Sequence, residues 1–224
     1  MERILYHGSE FIIKEPEYLK GNIHNDYGLG FYCTTNKELA KEWACQKNSD
    51  GFANSYELDL SGLKVLDLSA ENFSILHWLT ILMQNRVFSP KSPLGRTNLE
   101  FLTEKFQVPY QEYDVIKGYR ANDSYFSFAS DFLENVIPIQ NLASSMKLGS
   151  LGLQVVLKSE KAFAQLQFKD AEKADKEEYY VKYHKRDDAA RKNYLDGLRK
   201  LRPSDGVYLI DIVRNPRLLD EIRL

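Results

Sequence analysis

Residues 26–35, which read DYGLGFYCTT, constrain the fold more than any other segment of this chain. The aromatic run Leu29–Thr34 is typical of a β-strand, and the two glycines beside it bound that strand. Asn36 follows almost at once, and asparagine is a favoured N-cap residue. The pattern therefore predicts a helix that begins after Asn36 and runs to about Gln46. A strand that leads directly into a helix indicates a domain built from both elements.

The remaining segments alternate between strand and helix patterns. Strands are predicted at Ile4–Tyr6, Tyr56–Leu60, Leu63–Leu68, Ile116–Arg120, Leu153–Leu157, Leu166–Phe168 and Val207–Val213. Helices are predicted at Phe73–Arg86, Leu99–Phe106, Phe128–Val136 and the charged region 171–202, with a break near Gly197. Ser89–Asn98 contains two prolines and a glycine and is predicted to be a loop. Because several strands follow one another without crossover helices, we expect an α+β fold with mixed or antiparallel sheets.

Composition narrows the class of protein. Hydrophobic residues make up 43% and charged residues 28% of the chain, as in an ordinary folded domain, and 224 residues suit a single domain covering 1–224. The net charge of −2 gives no global reason to expect a polyanionic partner. The most apolar window, Ser74–Met83, is about half the length of a membrane-spanning helix. Neither Cys33 nor Cys45 belongs to a metal-ligand pair. The sequence thus predicts a cytoplasmic protein with no membrane segment and no metal.

Two segments carry side chains suited to ligand binding. His7, in the segment YHGS, stands at the end of a predicted strand, where an imidazole can hydrogen-bond a ligand hydroxyl and the following glycine allows close approach to the backbone. The alternative is a histidine that is satisfied before a tight turn. Tyr32 can stack on a flat heterocycle, with Trp43 on the opposite side of the ring. The alternative is that both aromatic residues belong to the core.

The order of these segments resembles the diphtheria-toxin-type ADP-ribosyltransferases, a superfamily that includes the poly-ADP-ribose polymerases. YHGS is followed about twenty residues later by DYGLGFYCTT and then by a helix with ELAKEWA. The superfamily signature is a histidine on the first strand, a tyrosine on the second and a glutamate or its replacement on a later strand. The likeness is strongest to a small bacterial branch; it covers residues 4–46, more weakly 114–126, and the strand Leu153–Leu157. It implies split mixed or antiparallel sheets with flanking helices, and NAD as the co-substrate.

The resemblance assigns NAD-binding roles within residues 7–43. His7 would bond the adenosine-side ribose, and Gly8, within the H-G-S motif that Ser9 completes, would hold the nicotinamide amide through its backbone. The predicted NAD-binding residues of this part are His7, Gly8, Ser9, Tyr32, Thr34 and Trp43. Tyr32 would stack on the nicotinamide ring, Thr34 would lie near it, and Trp43 would take the place of a second tyrosine. On this basis we expect Gly8→Val to weaken NAD binding without unfolding the domain, and Tyr32→Phe to be nearly silent.

The third signature position falls on Gln154, with Glu160 as the other candidate. A glutamate there would bond the nicotinamide-ribose hydroxyl and stabilise positive charge on the ribose. Glutamine accepts the same hydrogen bond but carries no charge, so Gln154→Glu is expected to keep or raise activity if Gln154 faces the ribose. The alternative is a buried glutamine that is bonded to the backbone.

Other polar residues fit an acceptor or a phosphate. Arg120 would hold the pyrophosphate, and Asp123 would orient the acceptor or act as a base; a local ion pair is the alternative. Basic residues outnumber acidic ones across Lys182–Arg202. That region is either a footprint for a nucleic-acid acceptor or a solvated helix face.

Together these features predict a mono-ADP-ribosyltransferase that acts on a protein or nucleic-acid acceptor. The resemblance extends to bacterial toxins and phage-defence effectors, so a cognate antitoxin is an expected partner. The alternatives are an NAD glycohydrolase, a non-catalytic module that binds NAD or ADP-ribose, and an interaction protein without a nucleotide site.

Overall fold

The computed structural model of this protein describes residues 2–121, 123–148, 152–200 and 206–221. The chain forms two compact units that alternate along the sequence. The first comprises Met1–Ala70, Pro109–Arg120 and Leu151–Arg186, and the second comprises Glu71–Val108, Ala121–Ser150 and Asp187–Leu224. That the two units act as the single predicted domain stays a prediction.

The first unit is built on a seven-stranded sheet. Its strands are β1 (Glu2–Ser9), β2 (Phe31–Thr34), β3 (Gly51–Asp59), β4 (Val65–Asp67), β5 (Val115–Tyr119), β6 (Leu153–Leu157) and β7 (Leu166–Ala174). They lie in the order β4-β5-β6-β2-β1-β3-β7. Among the described strands only β4 and β5 pair in parallel, and the other neighbours are antiparallel. The predicted α+β class with a mixed sheet is confirmed.

The sheet is nearly divided between β2 and β1. These strands are paired only at Tyr6 and Thr34 within the described residues, whereas β1 pairs with β3 along its whole length. All seven strands still belong to one sheet, so the split sheets implied by the resemblance stay a prediction. We call the region between His7–Ser9 on β1 and Phe31–Cys33 on β2 the split.

Helices complete both units. They are α1 (Lys37–Ala44), α2 (Ile75–Asn85), α3 (Pro93–Lys105), α4 (Asp123–Leu133), α5 (Ile139–Leu148), α6 (Glu160–Ala164), α7 (Lys176–Lys200), α8 (Leu209–Arg214) and α9 (Leu218–Glu221). The predicted N-cap of α1 is confirmed, because the Asn36 side chain accepts hydrogen bonds from the backbone of Glu38 and Leu39. No helix in the described ranges is long and apolar enough to cross a membrane.

Each unit has its own apolar core. In the first, one face of the sheet buries Leu5, Phe31, Cys33, Tyr56, Leu58, Val115, Val155 and Leu157. The largest fully buried side chains of the second unit are Trp78, Phe132, Leu76, Leu79 and Ile81. Burying one such side chain contributes about 1.5–3 kcal/mol, so each cluster stabilises its own unit.

Two predictions of secondary structure are wrong. Val207–Val213 is not a strand, because Leu209 begins α8, where the Asp211 carboxylate accepts a hydrogen bond from the backbone N–H of Tyr208 at 3.0 Å. A short apolar run does not distinguish strand from helix, and the capping contact decides it. Ser89–Asn98 is not a loop throughout, since α3 begins at Pro93. Proline suits the first helical turn, and the Ser92 hydroxyl caps the helix by accepting from Gly95 N at 2.9 Å.

The charged region also differs from its prediction. The described strand β7 extends to Ala174, so α7 begins later than position 171, and it continues through Gly197 without a break. Helix α5 was not predicted at all. By contrast, the strand predicted at Leu153–Leu157 has the observed limits of β6.

Candidate functional site

Three adjacent strands bring the distant signature segments together. In the sheet β6, β2 and β1 are neighbours, with Thr34 paired to Gln154 on one side and to Tyr6 on the other. Paired residues share a face of the sheet, so Tyr32, Thr34 and Gln154 lie on one face. His7 follows Tyr6 and its side chain therefore points to the other face. A ligand that contacts both His7 and Gln154 has to pass through the split.

His7 bridges the split. Its Nδ1 lies 2.7 Å from the carbonyl oxygen of Tyr32, and its ring stacks on Phe31 with the centroids 4.4 Å apart. A carbonyl only accepts, so Nδ1 carries the hydrogen and Nε2 of the neutral ring is an acceptor. Burial lowers the pKa of His7 below its ordinary value, which favours this neutral form. An acceptor of this kind can bond a sugar hydroxyl, and the role of His7 toward a ribose stays a prediction.

Gly8 is required by the packing of α1. A Cβ at this position would lie 1.9 Å from the carbonyl oxygen of Ala40 and 2.8 Å from the backbone nitrogen of Ala44. The structure therefore argues against the expectation that Gly8→Val leaves the domain folded. A role for the Gly8 backbone in holding an amide stays a prediction.

Asn54 fixes the end of β1 and was not singled out in the sequence. It is fully buried on β3, and its Nδ2 donates to the carbonyl of His7 at 3.2 Å and to Ser9 Oγ at 2.9 Å. Its Oδ1 accepts from Ile13 N at 2.9 Å. Ser9 Oγ itself donates to the carbonyl of Phe11 at 2.7 Å, so this hydroxyl anchors the following loop. The strand predicted here begins only at Tyr56, whereas β3 begins at Gly51, so the sequence pattern does not place Asn54 on a strand.

Tyr32 and Thr34 both support the local backbone. The Tyr32 hydroxyl donates to the carbonyl of Gly28 at 2.6 Å and accepts from Tyr27 N at 3.1 Å. Thr34 is 1% exposed, and its Oγ1 accepts from Asn36 N at 3.1 Å. Thr34 thus stabilises the turn into α1, whereas the Tyr32 ring is only partly buried. Loss of the Tyr32 hydroxyl should therefore affect folding, contrary to the nearly silent Tyr32→Phe expected from the sequence.

Trp43 and Arg120 form a stacked pair. The Arg120 guanidinium lies 4.1 Å from the centroid of the Trp43 ring, within the range of a cation–π contact. Trp43 Nε1 is buried and has no hydrogen-bond partner among the described residues. One face of the ring predicted to enclose nicotinamide is thus occupied by Arg120. Asp123 begins α4, and its side chain lies outside the described residues.

Gln154 is a buried amide with defined partners. It is 3% exposed, and its Nε2 donates to Asp26 Oδ2 at 2.9 Å and to the carbonyl of Tyr119 at 3.1 Å. The backbone bond is the one expected of a structural glutamine, and the bond to a carboxylate is additional. Glu160 begins α6 and is exposed, so it does not share this environment.

The loop that supplies Asp26 is packed into the first unit. Asp26 is 4% exposed, and Tyr27 is fully buried with its hydroxyl donating to the carbonyl of Tyr119 at 2.9 Å. Lys158 donates to the carbonyls of Tyr27, at 2.5 Å, and Leu29. Burial lowers the pKa of Lys158 to about 8. Asp26 opens the segment DYGLGFYCTT, but the sequence alone does not indicate its role, because its partner Gln154 is distant along the chain.

Residues 3–168 match a family described as a protein of unknown function, DUF3990. The chain belongs to this family. The matched range of this DUF3990 member includes every described site residue above. No curated protein and no solved structure matches the chain.

The charged helix α7 lies outside the residues matched to DUF3990. Arg186 forms a two-point bond to Glu42, at 2.9 and 2.7 Å, and Glu42 is 3% exposed. Lys182 bonds Glu178 at 2.5 Å, and Arg191 bonds Asp187 at 2.9 Å. These pairs favour a structural, solvated helix over a nucleic-acid footprint. The footprint stays a prediction.

Metal ligands are not grouped in the part of the DUF3990 chain that the structure describes. No set of three or more His, Cys, Asp or Glu residues there is arranged to hold an ion. Cys33 and Cys45 are both buried with free thiols, and burial raises the pKa of each.

Proposed function

We propose that this protein is an NAD-dependent mono-ADP-ribosyltransferase that modifies a protein or nucleic-acid acceptor. The supporting observation is the meeting of His7, Tyr32 and Gln154 on β1, β2 and β6, beside the split. These are the three positions of the signature that the sequence resembles. They are far apart along the chain, and the sheet places them on three neighbouring strands, with His7 on the opposite face from Tyr32 and Gln154.

The chemistry of these residues suits a dinucleotide. The Nε2 atom of neutral His7 is an acceptor for a ribose hydroxyl. Arg120 carries a guanidinium that can hold a pyrophosphate, and Trp43 Nε1 is a buried donor without a protein partner among the described residues. Tyr32 presents a partly buried ring for stacking. In this proposal His7, Tyr32, Trp43 and Arg120 bind NAD.

The reaction breaks the bond between the ribose C1′ and the nicotinamide nitrogen. The bonding pair leaves with nicotinamide, whose ring loses its positive charge, and an acceptor nucleophile bonds C1′ and releases its proton. Positive charge develops on the ribose before the new bond is complete. A residue that touches this ribose, here Gln154, acts mainly in the transition state and is expected to govern turnover more than affinity.

A non-catalytic module that binds NAD or ADP-ribose is the second candidate. It is favoured by one observation: Gln154 is neutral, 3% exposed and has its Nε2 engaged by Asp26 and Tyr119. NAD hydrolysis is the variant of the first candidate in which water replaces the acceptor.

Two measurements separate these functions. Release of labelled nicotinamide from NAD should occur with the wild-type protein and fall about 10²-fold in Gln154→Ala, the scale expected when one transition-state hydrogen bond is lost. When the protein is incubated with cell lysate and NAD labelled on the adenine side, the label should be transferred to an acceptor. Loss of the labelled product after nuclease treatment would identify a nucleic-acid acceptor, and loss after protease treatment would identify a protein acceptor. NAD binding without nicotinamide release would indicate the binding module, and release without a labelled acceptor would indicate hydrolysis.

A further inference from the structure

We propose that Asp26 is a positioning residue that supplies, through Gln154, the negative charge which the third signature position lacks. This inference rests on the proposed function. It concerns a residue on the loop before β2 and a residue on β6, joined by the 2.9 Å bond from Gln154 Nε2 to Asp26 Oδ2.

The first step is the burial of the carboxylate. Asp26 is 4% exposed, although burying an ionised carboxylate costs free energy unless hydrogen bonds compensate. Backbone carbonyl groups also serve as acceptors for the Gln154 amide, since the carbonyl of Tyr119 accepts from the same nitrogen. The bond from Gln154 therefore ties this buried carboxylate to the third signature position.

The second step is the orientation of the amide. Both groups that receive hydrogen bonds from Gln154 Nε2, the Asp26 carboxylate and the Tyr119 carbonyl, are oxygens. They use both hydrogens of the amide nitrogen and fix which end of the amide is oxygen. Oε1 is then the atom of Gln154 left to accept a hydrogen bond from a substrate hydroxyl. A freely rotating glutamine would present either end.

The third step is electrostatic. A hydrogen bond to a carboxylate draws the amide hydrogen toward Asp26 and increases the negative charge on Oε1, because hydrogen bonds in a chain polarise one another. The carboxylate also lies in a buried region, where charges interact more strongly than in water. Positive charge on a ribose at Oε1 would be stabilised by both effects. Asp26 and Gln154 would together do what a single glutamate does in the superfamily that the sequence resembles.

The test compares three variants in nicotinamide release from NAD. Asp26→Asn keeps an oxygen acceptor for Gln154 but removes the charge, and kcat should fall about 10²-fold while KM for NAD changes less than about 3-fold. Because Asp26 already supplies a carboxylate, Gln154→Glu alone places two carboxylates together and should also lose activity, in contrast to the retained or raised activity expected from the sequence. The double variant Asp26→Asn with Gln154→Glu moves the charge onto β6 and should recover at least about tenfold over Asp26→Asn alone. Asp170→Asn, an exposed aspartate on β7, is the matched control.

Folding and binding readouts make the result specific. Thermal unfolding identifies variants that fail to fold, and calorimetric NAD titration measures affinity apart from turnover. A folded Asp26→Asn with unchanged kcat overturns the inference and leaves the proposed function intact. The inference is also overturned if the wild type is active but the double variant is no more active than Asp26→Asn. A carboxylate on β6 would then fail to replace the charge of Asp26. A wild-type protein that releases no nicotinamide refutes the proposed function and this inference with it.

Discussion

The two sides of the split are stabilised in different ways. On the β1 side, Gly8 lies against the backbone of α1 and Asn54 holds the chain through neutral hydrogen bonds. On the side of β2 and β6, the ionisable groups Asp26 and Lys158 are withdrawn from solvent and bond the residues around Tyr32. The first side is defined by close packing and the second by charge. Substitutions of Gly8 and Asn54 should therefore act through stability, and those of Asp26 and its partner Gln154 through both stability and turnover.

Gly8→Val should have the largest effect. The new side chain would meet the carbonyl of Ala40, which belongs to the backbone and cannot rotate away, so we expect a loss of about 3 kcal/mol or more in the free energy of unfolding. Urea denaturation measures it. Gly197→Ala in α7 is the control, because the nearest atom to its Cβ is 3.6 Å away and alanine favours a helix. Unchanged stability of Gly8→Val would show that α1 does not pack on β1 as described.

Gln154→Glu should destabilise the protein by about 2–3 kcal/mol at pH 8. The new carboxylate replaces a donor to Asp26 and sits in a buried position. Urea denaturation beside the wild type tests this. Unchanged stability would mean that the new carboxylate does not lie against Asp26.

Tyr32→Phe should cost about 1–2 kcal/mol of stability, because two hydrogen bonds to the loop before β2 are lost. NAD affinity should change little, since the ring face is retained. Tyr32→Ala should also weaken NAD binding by about 1–3 kcal/mol, the scale of an aromatic stacking contact. Calorimetric titration beside urea denaturation separates the two effects. Equal NAD affinity in both variants would remove Tyr32 from the binding site.

The smallest expected effect is the pH dependence at His7. Burial lowers its pKa in the folded state, so below the ordinary value of 6.5 the unfolded chain binds a proton that the folded chain does not. The free energy of unfolding is therefore highest above pH 6.5, and it decreases as the pH falls from about 6.5 toward the lowered pKa of His7.

Two variants of His7 sharpen the result. In His7→Asn the side-chain amide can keep a donor near the position of Nδ1. In His7→Gln the longer side chain places its amide near the position of Nε2. Both should remove the pH dependence, whereas only His7→Gln should retain part of the NAD affinity. A pH profile that survives in both variants would assign the effect to another group.

The fold was predictable where local sequence determines the structure. The N-cap at Asn36 and the strand Leu153–Leu157 follow from side-chain chemistry and hydrophobic pattern, and the structure confirms both. Val207–Val213 was mistaken for a strand because an apolar run of that length fits either element, and the Asp211 capping contact is decisive only in three dimensions.

The site was predictable to a lesser degree. A histidine, a tyrosine and a glutamine could be placed on three strands from the resemblance alone. The partner of Gln154 could not, because Asp26 lies 128 residues away in the sequence and no local pattern connects them. The packing of Gly8 was missed for the same reason: its neighbour α1 is recognisable as a helix, but its distance from β1 is a tertiary property.

The pairing of β2 with β6 also determines when the site can assemble during synthesis. The bond between Asp26 and Gln154 closes a loop of 128 residues, which costs about 4 kcal/mol in chain entropy, and contacts between such distant residues form slowly. On the ribosome β1, α1 and β3 emerge first and can associate, but Asp26 has no amide to bond until β6 has left the exit tunnel. A nascent chain that stops before β6 therefore contains both strands of the split but not Gln154, so the proposed activity would appear only after β6 has been synthesised.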